Sequence, residues 1–156
     1  MNRQELLQML DEKGVNYELM EHVPIFTVEE MMEAKIPNLE LIAKNLFVRD
    51  DKKRKYYLIT AKEDRQISLK AFREQFGTRS LTFASESDLM AILGLLKGSV
   101  TPFGLLNDEE RKVQFFIDRS FDRLGVHPME NNATVWIAAK DLVALIEEHG
   151  NTVTWF

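Results

Sequence analysis

Leu41-Ile42-Ala43-Lys44-Asn45-Leu46-Phe47-Val48-Arg49, then Asp50-Asp51-Lys52-Lys53-Arg54, then Lys55-Tyr56-Tyr57-Leu58-Ile59-Thr60-Ala61: two apolar runs flank a short charged connection. Aliphatic, β-branched and aromatic residues favour extended backbone, and so short a polar link makes an antiparallel hairpin the economical reading. A two-stranded hairpin is marginal alone, so neighbouring elements must cover it. Towards the C-terminus, a short helix from about Ser68 to Gln75 ends near Gly77 and Leu81 to Phe83 reads as a strand. Ser85 and Asp88 then cap a helix running through Leu93. Val113 to Ile117, Ala133 to Ile137 and Thr152 to Phe156 have strand character, and Lys140 to Glu148 is a helix closed by Gly150. Towards the N-terminus, Leu6, Leu7 and Leu10 form one stripe of a helix over residues 3 to 13, with Gly14 at its end. Val15, Tyr17 and Leu19 alternate as in a half-buried strand. Thr27 and Glu30 are spaced as a capping box for a helix through Met31 and Met32 towards Ala34, which Pro37 stops. Strands and helices mix without regular parallel-sheet units, so the expectation is one α+β domain over residues 1–156, a mixed β-sheet flanked by helices.

A chain of 156 residues is long enough to bury about two thirds of its unfolded surface. It contains no cysteine, which excludes a disulfide framework and a thiol nucleophile. There is no Gly-x-Ser-x-Gly elbow, and the histidines at 22, 127 and 149 lack metal-ligand spacing, so neither metal nor cofactor is expected. The net charge of -5 argues against broad binding along a nucleic-acid backbone, which needs clustered cations, but not against gripping a single terminal phosphate. No apolar run is long enough to cross a membrane and the N-terminal residues lack a signal-peptide core, which together suit a cytoplasmic protein.

With so little catalytic equipment, Gly98-Ser99-Val100-Thr101-Pro102-Phe103-Gly104 stands out. Glycine admits positive φ and close approach, while proline stiffens the bend, so such a loop can aim peptide N–H groups at a ligand; a plain surface turn is the other reading. Lys44 shares a strand face with Ile42, Leu46 and Val48, so its ammonium must reach either solvent or an anion. Asn45 points to the opposite face of a regular strand and can share a ligand with Lys44 only near a strand end or bulge. His127-Pro128 with Asn131-Asn132, and His22 before Pro24, are explained by turn chemistry or by ligand contact. Lys52-Lys53-Arg54-Lys55 reads as a solvated hairpin tip or as a local patch for phosphates.

Taken together, Glu21-His22-Val23-Pro24-Ile25-Phe26-Thr27-Val28-Glu29-Glu30, the strand Ala43-Lys44-Asn45-Leu46-Phe47 and the Gly98–Gly104 loop resemble the YbaK-like aminoacyl-tRNA deacylase family, and within it the free-standing prolyl-tRNA editing proteins. The order and spacing of the segments agree over nearly the whole chain. The resemblance implies a single editing domain and a pocket for the aminoacylated 3′ end of a mischarged tRNA. It implies hydrolysis of Ala-tRNA(Pro), with Cys-tRNA(Pro) or another mischarged tRNA as the alternative within the same chemistry. By this resemblance Lys44, Gly98 and Ser99 form the catalytic set. Asn45, Val100, Thr101, Pro102, Phe103, Gly104, His127, His22 and Phe26 form the substrate-binding set. Backbone N–H groups of the loop would hold the oxyanion, and the free hydroxyl of the terminal ribose would orient water. A prolyl-tRNA synthetase or an elongation factor are the implied partners. Outside this class, a non-catalytic module that binds tRNA ends or a synthetase, and a small-molecule hydrolase, are the competing readings.

Overall fold

The computed structural model describes residues 1–156, beginning with α1 (Arg3–Glu12), β1 (Tyr17–Glu21), α2 (Val28–Glu33), β2 (Ala43–Asp50), β3 (Tyr56–Lys62) and α3 (Leu69–Phe76). It continues with β4 (Leu81–Phe83), α4 (Glu86–Leu93), β5 (Val113–Ile117), β6 (Arg123–Val126), β7 (Ala133–Ala138), α5 (Ala139–His149) and β8 (Val153–Trp155). The expected hairpin forms, with Lys44 opposite Ala61 and Val48 opposite Tyr57. It is the centre of a five-stranded mixed sheet in the order β4-β2-β3-β5-β8, in which β3, β5 and β8 run parallel and the other pairs antiparallel.

Both faces of this sheet are covered, which is why β3 reads as an unbroken apolar run. Phe47, Leu58 and Phe115 face a large core shared with Leu6 and Leu10 of α1, Leu93 of α4 and Leu142 and Ile146 of α5. Val48, Tyr57, Ile59 and Phe116 face the other way, onto Phe72 of α3 and Phe156. Local chemistry places the helices. Ser68 and Ser85 accept hydrogen bonds from Ala71 N and Asp88 N, each satisfying a first-turn donor, and Gly77 closes α3 in the left-handed conformation.

The α+β class and the mixed sheet flanked by helices are as expected, and the structure adds a second sheet: β1, β7 and β6 form a separate antiparallel three-stranded layer. A single bridge, Ile42 to Gly125, joins the two sheets. Strand β6 has no counterpart among the strands expected from sequence; it exists through its register with β7, Gly125 opposite Trp136. In β1 the expected alternation fails at Leu19, which is exposed because β1 is an edge strand bonded only to β7. Helix α2 ends before Pro37: Lys35 takes φ +57°, and Lys35 N and Ile36 N donate to Met32 O and Met31 O. Its capping box is half formed, since Glu30 N donates to Thr27 Oγ1 while the Glu30 carboxylate meets the Thr27 hydroxyl rather than its backbone N–H.

Candidate active site

The start of β2, the end of β6 and the segment 25–36, which includes α2, border one space. Between them lies a cavity of about 340 Å³, at the small end of the range for ligand sites. Lys44 and Asn45 lie on successive strand positions, yet both line it, because β2 begins at Ala43 and the cavity wraps around that strand end. Gly98 and Val100 form a second wall, His127 a third, and the exposed ring of Phe26 stands at the rim. The remaining wall is apolar, formed mainly by Ile25, Val28, Met31, Ile36, Ile42 and Val126.

Lys44 Nζ donates to Glu63 O at 3.3 Å and pairs with no carboxylate, so its charge is available to an anion. Asn45 Oδ1 accepts from Thr60 Oγ1 at 2.6 Å, which leaves the amide NH2 as a donor without a protein partner. His127 Nδ1 lies 2.9 Å from Ala133 O; a carbonyl only accepts, so Nδ1 carries the proton. Burial, ahead of the nearby His22, holds the His127 pKa below its usual value despite that hydrogen bond. The ring is therefore neutral at pH 7, with an Nε2 lone pair that has no protein donor.

The loop is more selective than its sequence suggests. The N–H groups of Gly98, Val100 and Thr101 have no partner within the protein, and of these three residues Gly98 and Val100 line the cavity. Ser99 is buried away from it, with its N–H spent on Leu96 O at 3.0 Å. Thr101 is fully buried and caps the 3-10 turn Pro102–Asn107, and Pro102, Phe103 and Gly104 belong to the core rather than to the cavity wall. Gly98 needs to be glycine, since φ is +89° and a Cβ would lie 2.7 Å from Phe26 Cε1. His22 stands behind the wall, with Nδ1 2.7 Å from Val23 O and Nε2 2.9 Å from the hydroxyl of the lining residue Thr134.

Thus Lys44, Asn45, Gly98, Val100, His127 and Phe26 come together around one cavity, while Ser99, Thr101, Pro102, Phe103, Gly104 and His22 do not line it. The lining residues that sequence reading missed include Met31, Ile36, Gly125 and Thr134. Met31 and Ile36 carry no signal beyond ordinary amphipathicity, whereas Gly125 beside a histidine could have been flagged as a close approach. No group of three His, Asp or Glu side chains is placed to hold a metal ion, and no helix is long and apolar enough to cross a membrane.

The cavity is lined by one ammonium without a carboxylate partner and by two residues whose peptide N–H groups have no protein partner, an arrangement able to hold a ligand through charge and main chain. Residues 22–145 match the aminoacyl-tRNA editing domain, so the chain belongs to that family and is an aminoacyl-tRNA deacylase. Among its relatives is the prolyl-tRNA editing protein ProX of Acetoanaerobium sticklandii, 42% identical over 153 residues, covering 96% of this chain and 93% of that one. The prolyl-tRNA synthetase associated domain-containing protein 1 of Mus musculus is 34% identical over 160 residues, covering 96% and 92%. The fold is shared with a crystal structure of a candidate trans-editing enzyme for prolyl tRNA synthetase, with a TM-score of 0.71 at 19% identity, covering 99% of this chain and 96% of that one.

Proposed function

We propose that the chain, acting over residues 1–156 as one editing domain, hydrolyses alanine misattached to proline tRNA. The observation that carries this reading is the meeting of Lys44 with Gly98 and Val100, whose N–H groups are unpaired, around one small cavity. The substrate assignment leans on the 42% identical relative, whose name is that of a prolyl-tRNA editing protein.

In this account Lys44 grips the terminal phosphate or ribose region, and the Asn45 amide steadies the ribose. The ester carbonyl lies towards Gly98 and Val100. A water oxygen attacks the carbonyl carbon, the developing oxyanion is held by the two peptide N–H groups, and the bond from that carbon to the ribose oxygen breaks. The proton from water passes to the departing ribose oxygen, and the neighbouring free hydroxyl of the ribose orients the water. One such donor is typically worth about 10² to 10³ in rate. His127 Nε2, unprotonated, is placed to accept a hydrogen bond from the aminoacyl amine or from the water.

Selection against proline is by exclusion. A rigid apolar wall rejects the larger ring by overlap, whereas preference for a larger side chain through added contacts yields only about 1–3 kcal/mol per methylene. The reaction runs in trans and in the cytoplasm, with a prolyl-tRNA synthetase as the natural source of the misacylated tRNA and an elongation factor as competitor for it. Loss of ester is measured on Ala-, Cys-, Ser- and Pro-tRNA(Pro): hydrolysis of the alanyl ester with the prolyl ester spared is expected. Preference for cysteine moves the assignment to Cys-tRNA(Pro), and binding without hydrolysis of any ester overturns it.

A further inference from the structure

Lys52, Lys53, Arg54 and Lys55 form the tip of the β2–β3 hairpin and are all exposed. None of them enters an ion pair, and none of their side chains donates a hydrogen bond within the protein. The nearby acids are already engaged. Asp51 is paired with Arg79 at 2.6 Å. Asp50 is buried, and its Oδ1 accepts from Lys52 N at 3.1 Å and Arg54 N at 2.9 Å. The turn is further fixed by Lys53 N donating to Asp50 O at 3.2 Å, with Lys53 held at φ +54°. The braced backbone presents four cations that no acidic side chain pairs, on a chain whose net charge is -5.

Strand β2 links this tip to the cavity: Lys44 is at one end and Asp50 at the other, six residues apart, or roughly 20 Å at about 3.3 Å per residue. A polyanion whose terminus fills the cavity and whose phosphates run alongside β2 would reach the tip at that separation. We propose that the hairpin tip Lys52–Lys55 is a second substrate contact that holds phosphates of the tRNA acceptor arm while the 3′ end occupies the cavity. This rests on the proposed reading of the cavity as the site for a tRNA 3′ end. It also resolves how an acidic protein binds RNA: the cationic surface is confined to one braced turn instead of a broad basic face.

The test uses K52Q/K53N/R54Q/K55Q in the full chain, asparagine being chosen at 53 because it tolerates positive φ. Uncharged tRNA(Pro) binding is measured from about 50 to 200 mM salt, and hydrolysis is measured on both Ala-tRNA(Pro) and alanylated CCA trinucleotide. The expected result is a rise in Kd of about tenfold or more at low salt. The log–log salt slope should fall by about 0.7–0.9 for each phosphate that the variant no longer neutralises. KM should rise on the full tRNA, with kcat and all parameters on the trinucleotide within twofold of wild type. Unchanged tRNA affinity and salt slope, or an equal loss on the trinucleotide, overturns the proposal. If the wild-type protein hydrolyses neither substrate but binds tRNA through the tip, the deacylation reading fails and the tip assignment stands.

Discussion

Replacing Gly98 by alanine perturbs the loop in two separable ways. Gly98 has φ +89°, a conformation costing an L-residue roughly 1–3 kcal/mol. The new Cβ also meets Phe26 Cε1 at 2.7 Å and Cδ1 at 3.0 Å. Phe26 is 68% exposed, so its ring can swing outward and the steric part is cheap. The backbone part is not, because the peptides on either side of Gly98 carry the N–H groups of Gly98 and Ser99, so relaxing φ turns the Gly98 donor away and strains the bond from Ser99 N to Leu96 O. Loss of one donor corresponds to about 10²- to 10³-fold in kcat. Single-turnover hydrolysis of Ala-tRNA(Pro) and urea unfolding should be measured for G98A, F26A and F26A/G98A. Stability of G98A should fall by roughly 1–3 kcal/mol, and removing the Phe26 ring should restore only a small part of it. The double variant should remain slow. A folded G98A with turnover within about twofold of wild type would refute the oxyanion role of this loop.

Lys44→Ala should leave unfolding almost unchanged, because Lys44 makes only one hydrogen bond, to Glu63 O. It should lower kcat/KM roughly ten- to a hundredfold, the equivalent of a charged hydrogen bond of about 1.5–3 kcal/mol, as read by steady-state deacylation. Gly104→Ala behaves differently: its Cβ would lie 2.6 Å from Leu95 Cδ1 and 3.3 Å from Leu93 Cβ, both buried. Overpacking of about 1–3 kcal/mol is expected in urea unfolding, with turnover per folded molecule retained. For pH, the His127 pKa in the folded state lies below the usual 6.5, so the unfolded chain binds its proton first as pH falls. The contribution of neutral His127 to stability is present above 6.5 and is lost as pH drops through the folded value. Urea midpoints at pH 7.5 and pH 5 should therefore converge more in His127→Gln than in wild type.

The hairpin, the serine-capped helices α3 and α4, and the terminal helix α5 were legible because each depends on residues close in sequence. What the sequence did not reveal depends on register. Leu124-Gly125-Val126 has a weak intrinsic strand signal and becomes a strand only beside Trp136, and with it the second sheet is complete. The cavity is lined by residues of both sheets, so Met31 and Ile36 look like ordinary apolar residues until the segment 25–36 is seen to line it too. Lys44 was recognisable because a cation on an apolar strand face demands an explanation. The Gly98–Gly104 stretch was legible as a unit but not in its parts. Thr101-Pro102-Phe103-Gly104 looks like loop, yet it turns inward as the first turn of a buried 3-10 segment and leaves only Gly98 and Val100 facing the cavity.

On the proposed reading, main-chain amides rather than a reactive side group receive the substrate carbonyl. The decisive experiment titrates ¹⁵N-labelled protein with a hydrolysis-resistant, amide-linked alanyl-adenosine and follows each backbone resonance. Large downfield proton shifts are expected for Gly98 and Val100, with little change at Ser99, whose N–H is already committed to Leu96 O. Saturable binding that leaves the Gly98 and Val100 resonances unmoved would contradict it.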